Sequence, residues 1–343
     1  MTTKPRVLIC GDIVWAHEQV RSLLGPIAEV VRMDSSSREE FCKELEADGK
    51  FSGTVAIYRH NSSADRIGIF DKDLVEHLPS SVKWIAHNGA GYDQIDVDAC
   101  KSKGIKVSNT PGAVDDATAT TALYLLISVT RLYCLGERVV RDTSKTASGS
   151  PGWKPSGISN SAHDPSALVL GILGMGGIGL RLAYLCRAFD PPMRVLYYSR
   201  SVKPDMPDWA EYVQSQDELL ERSDVLSVHV PLRDDTVGLI GEKEIRKLRK
   251  GSYIVNTARG KIIDEEALIG ALEDGHLAGA GLDVYPNEPN INPKLLTFSN
   301  VALLPHMGTE TREAQCKMEV RALTNIKDFL EKGVGRDLIV EYQ

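Results

Sequence analysis

The 343-residue sequence lacks the features that define several large functional classes. No stretch approaches the roughly 20 apolar residues of a membrane-spanning helix, and no membrane partner is expected. The opening MTTKPRVLIC runs straight into a strand-like segment without a signal peptide's apolar core. Cysteine is sparse and scattered, at Cys10, Cys42, Cys100, Cys134, Cys186 and Cys316, with no CxxC pair and no adjoining histidine cluster. That excludes a disulfide framework and a zinc site; the expectation is buried thiols, no metal and a cytoplasmic location. Basic charge is also short. The 40 Lys and Arg face 47 Asp and Glu, and the net charge of −7 argues against a nucleic-acid partner. An anionic ligand must therefore meet a locally basic site.

What is present is an alternation of strand and helix. Strand-like apolar runs stand at 6–10, 28–33, 53–58, 82–87 and 105–108. A helical pattern follows Ser35-Ser36-Ser37, with Glu39 and Glu40 in its first turn, a capping-type start. A second series stands at 168–173, 194–198, 225–230, 252–256, 279–284 and 301–305. Alternation of this kind implies parallel sheets, and the length exceeds what one core usually serves. The expected fold is α/β, two doubly wound domains of Rossmann-like and flavodoxin-like type with an active-site cleft between them. Residues 113–141 read as one long helix, apolar at Ala122, Leu125, Leu126, Val129 and Leu132 and free of proline and glycine until Gly136. Residues 143–166, rich in Ser, Gly and Pro, read as a surface excursion. After Thr309 a last helix runs to about Lys332 and is expected to return to the first lobe.

Four local patterns carry chemistry. Gly174-Met175-Gly176-Gly177-Ile178-Gly179 is a GxGxxG turn between an apolar strand and a helix start. Its glycines let backbone N–H groups approach a pyrophosphate, and the helix N-terminus adds partial positive charge. Asn256-Thr257-Ala258-Arg259-Gly260 puts an arginine at a strand's C-terminal edge, where its planar fork suits a carboxylate. Asp283 closes the next strand, and Glu288 follows in a proline-bounded loop. His306 ends the strand after that, eighteen positions beyond Glu288, close enough in an α/β fold to pair with it. A glutamate beside an imidazole favours the imidazolium, a proton donor near neutral pH. Taken alone, each acid reads as a turn residue or cap, and the histidine as a structural group. Together with a nucleotide site, they suit hydride transfer to a 2-oxo acid.

The cofactor's identity is written at the end of the strand after the glycine turn. An NAD site needs an acid there to accept from the ribose 2′-OH. Here the run is Tyr198-Ser199-Arg200-Ser201-Val202-Lys203. A hydroxyl and two cations suit a 2′-phosphate, so NADP is expected, NADPH preferred over NADH. The alternative is an exposed basic turn.

These motifs, with His229-Val230-Pro231-Leu232, Asn88-Gly89-Ala90-Gly91-Tyr92-Asp93 and Ser108-Asn109-Thr110-Pro111-Gly112, resemble the D-isomer-specific 2-hydroxyacid dehydrogenases over nearly the whole chain. The resemblance implies a substrate domain of 1–111 with 311–343 and a dinucleotide-binding domain of 112–310. It implies that His306 protonates the carbonyl oxygen, that Glu288 pairs with His306, and that Arg259 binds the substrate carboxylate. Backbone N–H groups of Ala90 and Gly91 would hold that carboxylate from the other lobe, on domain closure. Asp283 would hold the nicotinamide amide, and Thr118, His229, Pro231, Thr236, Thr257, Ala258 and Gly308 would line the cofactor. Family members usually form homodimers. Two departures stand out: Thr120 replaces a common acid, and Ser161-Ala162-His163-Asp164-Pro165 alters the run before the cofactor strand. That variant, with Ser80-Ser81-Val82-Lys83 and Ala122-Leu123-Tyr124-Leu125, is similar to a fungal branch that includes D-mandelate dehydrogenase.

The resemblance implies reduction of glyoxylate or hydroxypyruvate; a bulky aromatic 2-oxo acid is the alternative, with Arg59 of Tyr58-Arg59-His60 adding a cation to its pocket. Formate dehydrogenases of this fold carry glutamine where Glu288 stands. Dinucleotide-sensing corepressors tend to have disordered tails, whereas this chain ends at Gln343 soon after its last helix.

Overall fold

A computed structural model describes residues 4–142 and 157–342. The chain forms two compact units, one of residues 1–114 with 310–343 and one of residues 115–309. Of the segment expected as a surface excursion, 143–156 lie outside the described residues.

The first unit holds five parallel strands: β1 (Arg6–Cys10), β2 (Glu29–Arg32), β3 (Thr54–His60), β4 (Trp84–Asn88) and β5 (Lys106–Ser108). Their order, β2-β1-β3-β4-β5, is the flavodoxin-like one. Strand periodicity sorts the core into two layers. Leu8, Cys10, Ile57 and Ile85 face one layer with Phe41, Leu74 and Cys100; Val7, Ile9, Tyr58 and Trp84 face the other. The Arg312–Lys332 helix supplies that second layer through Ala322, Leu323 and Ile326, and Phe329 stacks on Trp84 at 5.2 Å. Thr311 caps its start by accepting from Ala314 N, and Gly333 at φ 77 ends it. The capping-type start after the serines is also present. Ser37 Oγ accepts from Glu40 N, opening the Arg38–Glu44 helix.

The second unit holds seven parallel strands: β6 (Val169–Leu173), β7 (Arg194–Tyr198), β8 (Ala210–Tyr212), β9 (Val225–Val228), β10 (Ser252–Asn256), β11 (Leu277–Leu282) and β12 (Val301–Leu303). The order β12-β11-β10-β9-β6-β7-β8 reverses direction at β6, the dinucleotide-binding topology. Again the strands split: Ile172, Val195 and Val255 face one layer; Leu196, Leu226 and Ile254 face the other. Strand β8 was not expected. It is a three-residue edge strand with no apolar run to mark it.

The helix expected over 113–141 is two helices, Asp115–Thr130 and Tyr133–Arg141, bent by 76°. Leu132 sits between them at φ 55, in the left-handed region. The cause is a long-range capture: His163 N donates to Thr130 O at 2.8 Å, taking a carbonyl the next helical turn would need. The Thr130 hydroxyl also bonds back to Leu126 O. Among the described residues no single helix is long and apolar enough to cross a membrane.

Candidate active site

The glycine turn joins β6 to the Gly177–Cys186 helix, and its glycines are required for different reasons. Gly174 has φ +97, and a Cβ there would lie 2.9 Å from the backbone of His229 and Val230. At Gly179 a Cβ would meet Gly174 O at 2.7 Å, so the helix packs directly on its own turn. At Gly177 it would strike the Asp115 carboxylate. Gly176 is the exception, with nothing within 4 Å of its missing Cβ. The fold does not demand glycine at 176, and the space beside it leaves room for the close approach of a ligand. Thr257 Oγ1, just past β10, is likewise buried without a hydrogen-bond partner. Both observations fit a dinucleotide.

A cavity of about 410 Å³ opens on this turn. It brings together Gly174, Gly176, Ser199, Arg200, Ser201, His229, Pro231 and Thr236 of the expected cofactor residues, and adds Lys203. Ser199 Oγ accepts from Met175 N at 2.9 Å, so the residue after β7 is tied to the glycine turn. Arg200 is largely exposed, with Asp235 3.9 Å away. His229 is half-buried, its Nε2 2.8 Å from Ser227 Oγ, and desolvation pulls its pKa down to about 4. Thr236 Oγ1 donates to Pro231 O and accepts from Arg233 N, closing the loop that forms the far wall.

Gly177, Ile178 and Gly179 lie in the helix's first turn rather than in the cavity wall. Thr118, Asp283 and Gly308 form a separate knot. Thr118 Oγ1 donates to Gly308 O at 2.9 Å, and the Asp283 carboxylate accepts from Met307 N at 2.7 Å and Gly308 N at 2.8 Å. Asp283 is 0% exposed, and its burial raises its pKa. It holds the loop after β12, where His306 adopts φ 56 and donates its own N–H to Asp283 O. Left-handed backbone is costly for a side chain with Cβ and persists where surroundings fix it, as this carboxylate does.

His306 Nδ1 stands 2.7 Å from Glu288 Oε2, and Glu288 Oε1 accepts from Tyr285 N. Desolvation alone would raise the Glu288 pKa. The bonds from His306 and Tyr285 and the charges of His306 and Arg259 outweigh it and hold the carboxyl below its usual value. Because Nδ1 faces a carboxylate, Nε2 is the imidazole nitrogen left to act outward. Arg259 follows β10 in a turn shaped by Asn256, which accepts from Ala258 N and donates to Arg259 O. Sequence reasoning passed over that role of Asn256; an asparagine three residues before the arginine was its signal. Gly260 fixes the distance to the next loop, since a Cβ there would lie 2.0 Å from Tyr285 C.

In the first unit, Ala90 and Gly91 lie in the loop after β4, half-buried. Arg59, at the end of β3, is 0% exposed rather than presented to a pocket. Its guanidinium donates to Asn61, Gln94 and His87. Among the described residues no group of His, Cys, Asp and Glu is placed to hold a metal ion.

Residues 123–308 match the model of the D-isomer specific 2-hydroxyacid dehydrogenase NAD binding domain. The 4-methyl-2-oxopentanoate reductase A of Aspergillus oryzae is 42% identical over 338 residues, covering 98% of each chain. The structure of a glyoxylate reductase from Paecilomyes thermophila matches with a TM-score of 0.91 at 42% identity over 100% of both chains. Apo D-mandelate dehydrogenase of Rhodotorula graminis matches with a TM-score of 0.86 at 33% identity, covering 98% of this chain and 99% of that one. With its glycine turn, its Glu288–His306 pair and this likeness over the full length, the chain belongs to the D-isomer-specific 2-hydroxyacid dehydrogenase family.

Proposed function

We propose that the protein reduces a short 2-oxo acid of the glyoxylate or hydroxypyruvate type to the D-2-hydroxy acid, with NADPH as its preferred donor. The carrying observation is the bonded pair of His306 Nδ1 and Glu288 Oε2 on the unit that holds the dinucleotide turn. The bound nicotinamide supplies the hydride. Arg259 takes the substrate carboxylate in its fork and thereby sets the orientation of the adjacent carbonyl. Ala90 and Gly91 N–H groups share that carboxylate. His306 Nε2 donates a proton to the carbonyl oxygen, and ionised Glu288 stabilises the imidazolium until it does so. Asp283 keeps the His306 loop in place and offers an acceptor to the nicotinamide amide; Thr118, Thr257, Ala258 and Gly308 complete that end of the site.

The preference for NADPH is supported by Ser199 standing where an acid would repel a 2′-phosphate, with Arg200 and Lys203 in the same cavity wall. Charge-assisted bonds of this kind predict at least about tenfold higher kcat/KM with NADPH than with NADH. Ser199→Asp should remove the advantage. Equal or better use of NADH by the natural enzyme would refute this part.

The likeness to D-mandelate dehydrogenase supports a second reading, a bulky aromatic 2-oxo acid. Comparing kcat/KM for glyoxylate, hydroxypyruvate, 4-methyl-2-oxopentanoate and benzoylformate separates the two. Glyoxylate or hydroxypyruvate is expected to lead, and benzoylformate leading would replace the first reading by the second. The proposed form is a cytoplasmic homodimer, checked by light scattering and by localisation.

A further inference from the structure

The carbonyls of the turn after β4 are all engaged from within the first unit. Gly89 O accepts from Thr110 N at 3.0 Å and Ala90 O from Asn109 Nδ2 at 2.7 Å, while Gly91 O lies 2.8 Å from His87 Nε2. By contrast, no acceptor among the described residues is bonded to the N–H groups of Ala90 or Gly91. Successive peptides with tied carbonyls and unengaged N–H groups make a concavity suited to an anion.

Whether His87 can hold Gly91 depends on its tautomer, and Arg59 settles that. A guanidinium donates and never accepts. Its contact with His87 Nδ1 at 3.3 Å therefore makes Nδ1 the acceptor and leaves the proton on Nε2, facing Gly91 O. Arg59 also donates to Gln94, at the far side of the same loop, and to Asn61. These bonded acceptors are all neutral. The charge of Asp93 also acts on the guanidinium, but desolvation outweighs it, so the buried cation is weak as a stability device. Burial lowers the Arg59 pKa to about 10, so the group stays charged at neutral pH. The loop also rests directly on the imidazole: a Cβ at Gly89 would lie 2.5 Å from His87 Nε2.

We propose that Arg59 and His87 are positioning residues for the substrate carboxylate. Arg59 fixes His87 as the Nε2–H tautomer, and His87 holds the Gly91 carbonyl so that the Ala90 and Gly91 N–H groups converge on the anion. The proposal rests on the reading of that turn as a carboxylate receptor. It gives Arg59 no contact with substrate.

The test is steady-state kinetics with NADPH and glyoxylate. His87→Gln keeps an amide donor within reach of Gly91 O and should leave KM within about threefold of the natural enzyme. His87→Asn, one methylene shorter, should raise KM about tenfold with kcat within threefold and NADPH affinity unchanged. Arg59→Met should do the same. Combining Arg59→Met with His87→Asn should add less than about twofold to the worse single variant, because both cut one relay. Equal KM values for the Gln and Asn variants, or multiplying effects in the combination, would overturn the proposal. Should Arg59→Met fail to fold, the pair at residue 87 decides alone. The natural enzyme should also prefer glyoxylate to its uncharged amide by about a hundredfold, the worth of a charge-assisted contact. Absence of that preference sinks the carboxylate reading itself. Its presence, undiminished in the Asn variant, sinks the relay alone.

Discussion

In the first unit the strand ends offer backbone, with Arg59, His87 and Asn109 bonded among themselves or to the loop that carries Ala90 and Gly91. In the second unit the strand ends offer side chains: Arg259, Glu288 and His306, on turns built by Asn256 and Asp283. A backbone receptor has no side chain to lose and does not titrate, so it can be damaged only through what braces it. A side-chain site can be abolished by one substitution and answers to pH. On the functional reading proposed above, the first unit shares the carboxylate through backbone alone, while the second unit supplies both its charged contact, Arg259, and the proton donor, His306.

The sharpest way to break this division is Arg259→Met. It deletes the one charged contact proposed for the carboxylate and should lower kcat/KM by about a hundred- to a thousandfold, against about tenfold for bracing residues of the first unit. Equal losses at the two edges would erase the distinction. The next effect is on stability. His229 has a folded pKa of about 4 against an ordinary 6.5, so between those values the unfolded chain binds more protons than the folded one. Stability should be complete above pH 6.5 and fall by up to about 3 kcal/mol as the pH drops towards 4. His229→Asn should flatten that dependence in urea titrations; an unchanged slope would mean that His229 is not its source. The smallest effect belongs to the glycine turn. Gly176→Ala meets no neighbour, so the transition temperature should hold while dinucleotide affinity falls about tenfold. Gly177→Ala, which meets Asp115, should lower the transition temperature. If both glycine variants lose stability alike, the argument that Gly176 serves the ligand fails.

Most strands were legible because a buried parallel strand writes itself as a short apolar run, as at 6–10, 194–198 and 252–256, where the expected bounds and the observed ones coincide. Strand β8 left no such mark: Ala210–Tyr212 is short, polar in part and at the edge. The break at Leu132 was hidden for a different reason. No proline or glycine signals it; the capture of Thr130 O by His163 N comes from thirty-three positions away. At the site, Arg259, Glu288 and His306 were readable as residue types at strand ends, and the structure brings Glu288 and His306 into contact. The bracing roles of His87, Gln94 and Asn256 were not, because an imidazole or amide at a strand end shows its partner only once the loop is folded. Arg59 carried a visible charge, but its burial depends on Gln94 and Phe70, which no local pattern connects to it.

The central claim is that the second unit's His306 supplies the proton. It is tested most directly by single-turnover oxidation of NADPH at saturating glyoxylate in His306→Gln, a variant that keeps the approximate size of the ring. The account predicts a rate at least about a hundredfold below that of the natural enzyme, the lower range for general acid catalysis, with NADPH affinity unchanged. A rate within tenfold of the natural enzyme would contradict it.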